Sequence, residues 1–145
     1  MSKGNILSLF AVAALLVACG GDTPSASPGT STGEPAAAAR VTEPLPGGNV
    51  IEVEMITEGT GNFFRPAEFE ANRGDMIKFI NRVGVHNVSF PADSNPGARN
   101  LPPPTDLLQL PGQTVNILVD WEPGSYFYQC DPHALIGMVG RITVH

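Results

Sequence analysis

The sequence predicts an all-β fold, an antiparallel β-sandwich carried behind a disordered N-terminal tether. Three observations point there. Short runs with a two-residue hydrophobic period recur from residue 49 to the end of the chain, each bounded by turn formers. Gly (16) and Pro (14) are frequent among the 145 residues, which suits many short strands and opposes long helices. Residues 20–48, by contrast, are mostly Ser, Thr, Pro, Gly and Ala, with no periodic apolar face to offset the entropy of ordering.

In chain order, residues 1–18 read as an export signal. Lys3 supplies a basic start, and the apolar stretch from Ile6 to Ala18 is too short to span a bilayer comfortably. It ends in Leu16-Val17-Ala18-Cys19, which resembles the bacterial lipoprotein processing box, where cleavage precedes a cysteine that then carries lipid. The alternatives are an ordinary signal peptide in which Cys19 is incidental, or a short anchor that is never cut. The lipoprotein reading implies an extracytoplasmic chain, anchored to the cell membrane or the outer membrane and facing the periplasm or the cell exterior. Residues 19–48 then form the lipidated cysteine and a flexible linker, with a root-mean-square reach of about 30 Å.

Residues 49–145 form the candidate domain. Ile51, Val53 and Met55 alternate with more polar neighbours as a half-buried strand does. Further short strands are expected at Phe69 to Ala71, Met76 to Ile80, His86 to Phe90, Val115 to Val119, Ser125 to Cys130 and Arg141 to Val144. Turn formers such as Arg73-Gly74-Asp75, Pro111-Gly112 and Pro123-Gly124 separate them. Between Pro91 and Pro111, four further prolines (96, 102, 103 and 104) deny the backbone donors a central strand needs, so this segment should be a long surface excursion.

Charge narrows the function. The formal net charge is -6, and the eight Lys plus Arg are nowhere clustered, so there is no footprint for a phosphate backbone and nucleic acid is an improbable partner. Only two cysteines occur, Cys19 and Cys130. In an oxidising compartment they would be expected to pair, but lipidation of Cys19 removes that option and leaves Cys130 a lone thiol that something must protect or use. Metal ligation would do both.

The informative stretch runs from Tyr128 to Gly140. Cys130, His133 and Met138 bring a thiolate, an imidazole and a thioether together at Cys-x2-His-x4-Met spacing. Copper cycling between Cu(I) and Cu(II) needs soft sulfur for the reduced ion and imidazole that suits both states, a need met by one Cys and two His with a weak axial Met. The second histidine has to come from elsewhere. His86 is the candidate, because His145 is terminal and reads as a solvated tail. Taken alone, His86 would more often be a satisfied core or surface histidine, and Met138 would as readily be core packing as a ligand; beside the Cys130 loop both shift towards ligand. Zinc is the competing ion, but structural zinc prefers more thiolates and does not seek a thioether.

On these residues the domain resembles a cupredoxin and, within that family, is most similar to plastocyanins. The likeness covers roughly residues 64–144 and is strongest over Gly74 to Asn81, Val85 to Val88 and Gly124 to Gly140. It implies a Greek-key sandwich and a single type 1 copper held by His86, Cys130, His133 and Met138. Asn87 would tie the two ligand-bearing loops together by hydrogen bonding. The implied role is that of an electron carrier, not an enzyme, whose redox protein partners (a cytochrome or an oxidase) dock near His133. An apolar collar of Pro132, Ala134, Leu135, Ile136, Val85 and Gly84 should surround the ring of His133. Two departures weigh against a photosynthetic partner: Val85 and Gln129 stand where plastocyanins commonly carry a proline and a surface tyrosine. The acidic docking stretch of plant plastocyanins is also missing.

Three other readings remain at this stage. A copper-delivery protein serving an extracytoplasmic oxidase would use similar ligands. A nitrite reductase or multicopper oxidase needs a further histidine-rich centre, for which only His145 is left. A metal-free adhesion sandwich would leave the Cys130 loop unexplained.

Overall fold

The structure, a computed structural model, describes residues 42–145; the signal-like segment, Cys19 and the tether up to residue 41 lie outside the described residues. Among the described residues, seven strands form two facing sheets: β1 (Val50–Glu58), β2 (Gly61–Arg65), β3 (Glu68–Ala71), β4 (Met76–Val83), β5 (Thr114–Leu118), β6 (Gly124–Gln129) and β7 (Val139–Val144). The strand orders are β2-β1-β4-β5 and β3-β7-β6. Among the described residues no helix is long and apolar enough to cross a membrane.

The all-β sandwich is as the sequence predicts, but its pairing is mixed. β1–β2, β4–β5 and β6–β7 are antiparallel, whereas β1–β4 and β3–β7 run parallel. The reason is the path of the chain. After the β1–β2 hairpin it crosses to the second sheet as β3 and returns as β4 beside β1, and a strand reached by such a crossover runs in the direction of its neighbour. Two strand assignments also change. Gly61–Arg65 is a strand that its hairpin register with β1 stabilises although its sequence shows no clean alternation. His86 to Phe90 is not a regular strand: its first residue bridges to Leu108 and Ser89 bridges to Gln129, so the segment changes partner midway.

The proline-rich excursion is tied down at its returning end. His86 and Leu108 exchange both backbone hydrogen bonds (3.1 and 2.7 Å), and Thr105 N donates to Val88 O while Val88 N donates to Thr105 Oγ1. Residues Thr105 to Leu110 therefore act as a strap along the His86 segment. Buried Asn81 fastens the strap further, its amide lying 3.0 Å from Gly84 O, 3.1 Å from Leu108 O and 3.3 Å from Leu110 O. At the start of the described chain, Leu45 N donates to Gly74 O and Asn116 Nδ2 to Thr42 O, so residues 42–48 lie against the domain.

The core comes from the strand period. Val53 and Met55 on β1, Phe64 on β2, Ile77 and Phe79 on β4, Tyr126 and Tyr128 on β6 and Ile142 and Val144 on β7 are buried. Tyr128 is at its centre, with ring centroids 4.7 Å from Phe64, 5.6 Å from Phe79 and 6.1 Å from Phe90. Its hydroxyl donates to Ala67 O at 3.0 Å, which satisfies the one polar atom of a fully buried ring. Because side chains alternate, anchoring Tyr128 inward directs Cys130, two residues on, into the same interior.

Candidate metal centre

The site lies at one end of the sandwich, where the β6–β7 connection meets the His86 segment. A six-residue 3-10 turn, Asp131–Ile136, follows Cys130 directly, with Pro132 in its first turn where a missing N–H costs nothing. Gly137 ends the turn in the left-handed region at φ +94°. The loop closes on itself: His133 N donates to Cys130 O, Met138 N to His133 O and Cys130 N to Met138 O, each at 3.0–3.1 Å. Cys130 and Met138 are thereby fixed side by side. Both are fully buried, within one apolar cluster.

His86, Cys130 and His133 each present a ligand atom, and all three atoms lie within 4.8 Å of one another. The Cys130 Sγ lies 3.7 Å from His86 Nδ1 and 3.3 Å from His133 Nδ1. An ion about 2.0 Å from an imidazole nitrogen and about 2.3 Å from a thiolate sulfur, in trigonal geometry, would hold those two atoms about 3.7 Å apart. The donor triangle therefore has the size a metal requires. Soft sulfur with two imidazoles is also the chemistry that suits copper in both oxidation states.

Hydrogen bonding sets the tautomer of His86. Its Nε2 lies 2.9 Å from Val83 O, and a carbonyl oxygen only accepts, so Nε2 carries the proton and Nδ1 keeps a lone pair facing the sulfur. Burial lowers the pKa of this imidazole and the neighbouring His133 lowers it further, while the Val83 carbonyl pulls the other way. The net direction favours the neutral ring, the form that binds a metal. Burial raises the pKa of the Cys130 thiol, opposed by the backbone amides of Asn87 and His133 that lie against the sulfur. A metal held by this sulfur would take the place of the thiol proton.

Asn87 connects the two loops. Its Nδ2 donates to Asp131 Oδ2 and its Oδ1 accepts from Asp131 N, both at 2.8 Å. Asp131 also accepts from Gln129 Nε2 at 3.0 Å. His133 is only partly buried, and around this end of the molecule Val83, Val85, Leu135 and Ile136 are exposed, Leu135 completely. Sequence reasoning did not single out Thr57, Asn62, Asn81 or the strap. Thr57 continues the inward series Val53, Met55, and Asn62 precedes inward Phe64 by two residues, so the strand period was the signal that could have found them.

The copper binding proteins of the plastocyanin/azurin family match the chain over residues 51–145. Plastocyanin from Vicia faba is 39% identical over 100 residues, covering 66% of this chain and all of that protein. Chloroplastic plastocyanin from Oryza sativa subsp. indica is 35% identical over 124 residues, covering 83% of this chain and 80% of that protein. Among solved structures, oxidized plastocyanin from Dryopteris crassirhizoma superposes with a TM-score of 0.52 at 25% identity, covering 66% of this chain and 100% of that one. The matched residues contain the whole donor triangle and the strands that carry it. The chain belongs to the plastocyanin/azurin family of copper binding proteins, and copper is the cofactor of this plastocyanin-like cupredoxin.

Proposed function

We propose that the chain is a one-electron carrier of the cell envelope that holds a single type 1 copper through His86, Cys130, His133 and Met138. The convergence of His86, Cys130 and His133 on one point carries this reading. Bound there, copper supplies a couple between Cu(II) and Cu(I) that takes up and releases one electron. The protein contributes rigidity. The strap fixes the backbone of His86, the Val83 carbonyl fixes its ring, and the Asn87–Asp131 pair locks the Cys130 loop to it, so the donors keep one geometry through both oxidation states. Buried Met138, bonded through its backbone to Cys130 and His133, would supply the weak thioether donor.

His133 provides the way out for the electron, since it is the least buried of the four donors. The exposed apolar residues beside it, Leu135 and Ile136 foremost, form the docking face for a redox protein. Brief encounters suit a small apolar face of this kind. The export-like residues 1–18 and Cys19 support an extracytoplasmic, lipid-anchored location, which Cys19→Ala tests by moving the protein from the membrane fraction to the soluble one. Cu(II)-loaded protein should be intensely blue, and a colourless Cu(II) complex would overturn the thiolate assignment. Rapid, repeated oxidation and reduction without copper loss is expected of a carrier; copper loss on each cycle would favour delivery to an oxidase.

A further inference from the structure

Directly behind His86, the interior face of the first sheet departs from its apolar pattern. Thr57 and Asn62 face each other across the β1–β2 register, one step beyond the apolar pair Met55 and Phe64 on the same inward side. The Thr57 hydroxyl donates to Asn62 Oδ1 at 2.7 Å, which commits its hydrogen and turns a lone pair elsewhere. That lone pair meets His86 Nε2 at 3.2 Å. The Nε2–H is thus shared between the Val83 carbonyl and the Thr57 hydroxyl. Two apolar residues would satisfy the sheet equally well, and Asn62 is buried, where a polar side chain costs free energy unless its hydrogen bonds are made.

We propose that Thr57, oriented by Asn62, is a positioning residue for the metal site: it shares the Nε2 proton of His86, makes that imidazole a stronger donor and lowers the reduction potential of the copper. The inference rests on His86 being a ligand. An acceptor on the far nitrogen of a metal-binding imidazole fixes the ring and raises its basicity. A more basic nitrogen favours Cu(II) over Cu(I), so the couple moves down. Removing the hydroxyl should move it up.

The test compares full-length wild type with Thr57→Val, which keeps the shape of the side chain but not the hydroxyl, and Thr57→Ser, which restores it. Loss of such a partner weakens metal binding by about tenfold or more. A tenfold weakening of Cu(II) relative to Cu(I) raises a one-electron midpoint by about 59 mV. Thr57→Val is expected to show that rise in a redox titration, and Thr57→Ser to return to the wild-type value. An unmoved potential in Thr57→Val, or an equal shift in Thr57→Ser, overturns the proposal. Thr57→Ala takes the same role if the valine variant does not fold. Nitrogen-15 spectra of the copper-free wild type add a readout that needs neither variant nor metal: His86 should carry its proton on Nε2 with slow solvent exchange, and a proton on Nδ1 overturns the proposal. A colourless wild-type Cu(II) complex marks failure of the functional reading itself, whereas a blue wild type with an unmoved variant marks failure of the Thr57 role alone.

Discussion

His86 and His133 reach the same sulfur from segments built in opposite ways. The His86 segment is bonded on one edge to the strap through Leu108 and on the other to β6 through Gln129, and its ring is completely buried and fixed at Nε2. His133 projects from a 3-10 turn that buries none of its residues and is held at its start by the Asn87–Asp131 pair. Next to it stand the most exposed apolar side chains at this end of the molecule. A redox site needs both: a fixed wall so that little rearranges when the electron moves, and an open edge through which it leaves.

The largest effect should come from the atom the two segments share. Cys130→Ser removes the sulfur at 3.7 Å from one imidazole and 3.3 Å from the other, and with it the thiolate-to-copper absorption. The blue colour should vanish completely in the absorption spectrum. The thermal transition should survive, because serine nearly matches cysteine in size and burying its hydroxyl costs about 1–3 kcal/mol. A retained blue band would break the claim that the segments meet at this residue.

Next comes a pair of glycines that separates the fixed wall from the open edge. Gly84 and Gly137 both have positive φ, +105° and +94°. A Cβ on Gly84 would run into Thr57 Oγ1 and His86 Nε2, whereas one on Gly137 would meet nothing within 4 Å. Gly137→Ala should therefore cost only the backbone strain of a left-handed alanine, about 1–2 kcal/mol. Gly84→Ala adds a clash in the packed interior and should cost more, about 2–4 kcal/mol. Chemical denaturation of the copper-free proteins measures both. Equal losses would mean that the wall is no more tightly packed than the edge.

Much of this architecture was legible in the sequence, for a physical reason. Cys130 and His133 sit in one short connection, so their spacing alone brought them together, and a chain with three histidines left few candidates for the second imidazole. The strand period of Tyr126, Tyr128 and Cys130 likewise pointed the cysteine inward. What could not be read was long-range pairing. The parallel β1–β4 contact follows from a crossover whose path no local pattern encodes. Thr57 and Asn62 look like ordinary polar strand residues until the hairpin register turns both inward, behind a histidine 29 positions from Thr57. The strap was hidden because the prolines flanking it rule out a central strand without ruling out the few well-placed bonds that Thr105 and Leu108 make.

A smaller effect concerns pH, and it compares the two ends of the sandwich. At the metal end Asp131, and at the opposite end Asp75, have carboxyl pKa values below the ordinary 3.8. In each, burial pushes upward but is outweighed: by hydrogen bonds from Gln129, Asn87 and Ser89 at Asp131, and by those from Asn49 and Asn72 at Asp75. A depressed folded-state value means the fold prefers the ionised form. Each group thus contributes its full stabilisation above the ordinary carboxylate range and loses it as pH falls through the lowered value. Stability of the copper-free protein should decline below about pH 4. Asp75→Asn should flatten part of that decline, and an unchanged acid profile would show that the Asp75 turn does not depend on the charge.

The smallest effect on stability, and the most telling for function, is expected at the open edge. Leu135 is fully exposed, so Leu135→Asp removes no buried contact and should leave the unfolding free energy within about 0.5 kcal/mol of wild type. Electron self-exchange between two copies of the protein requires their open edges to approach. An aspartate there must be desolvated on contact and faces its own copy, so each encounter carries a like-charge repulsion worth about 1 kcal/mol at short range even in water. Self-exchange followed by NMR line broadening should slow about fivefold or more for that penalty, and less at high salt, where charges are screened. Leu45→Asp, on a half-exposed leucine that lies near Gly74 away from the metal end, is the control and should leave the rate close to wild type. If the two variants slowed exchange equally, only the added charge would matter, and the electron would have no preferred exit beside His133.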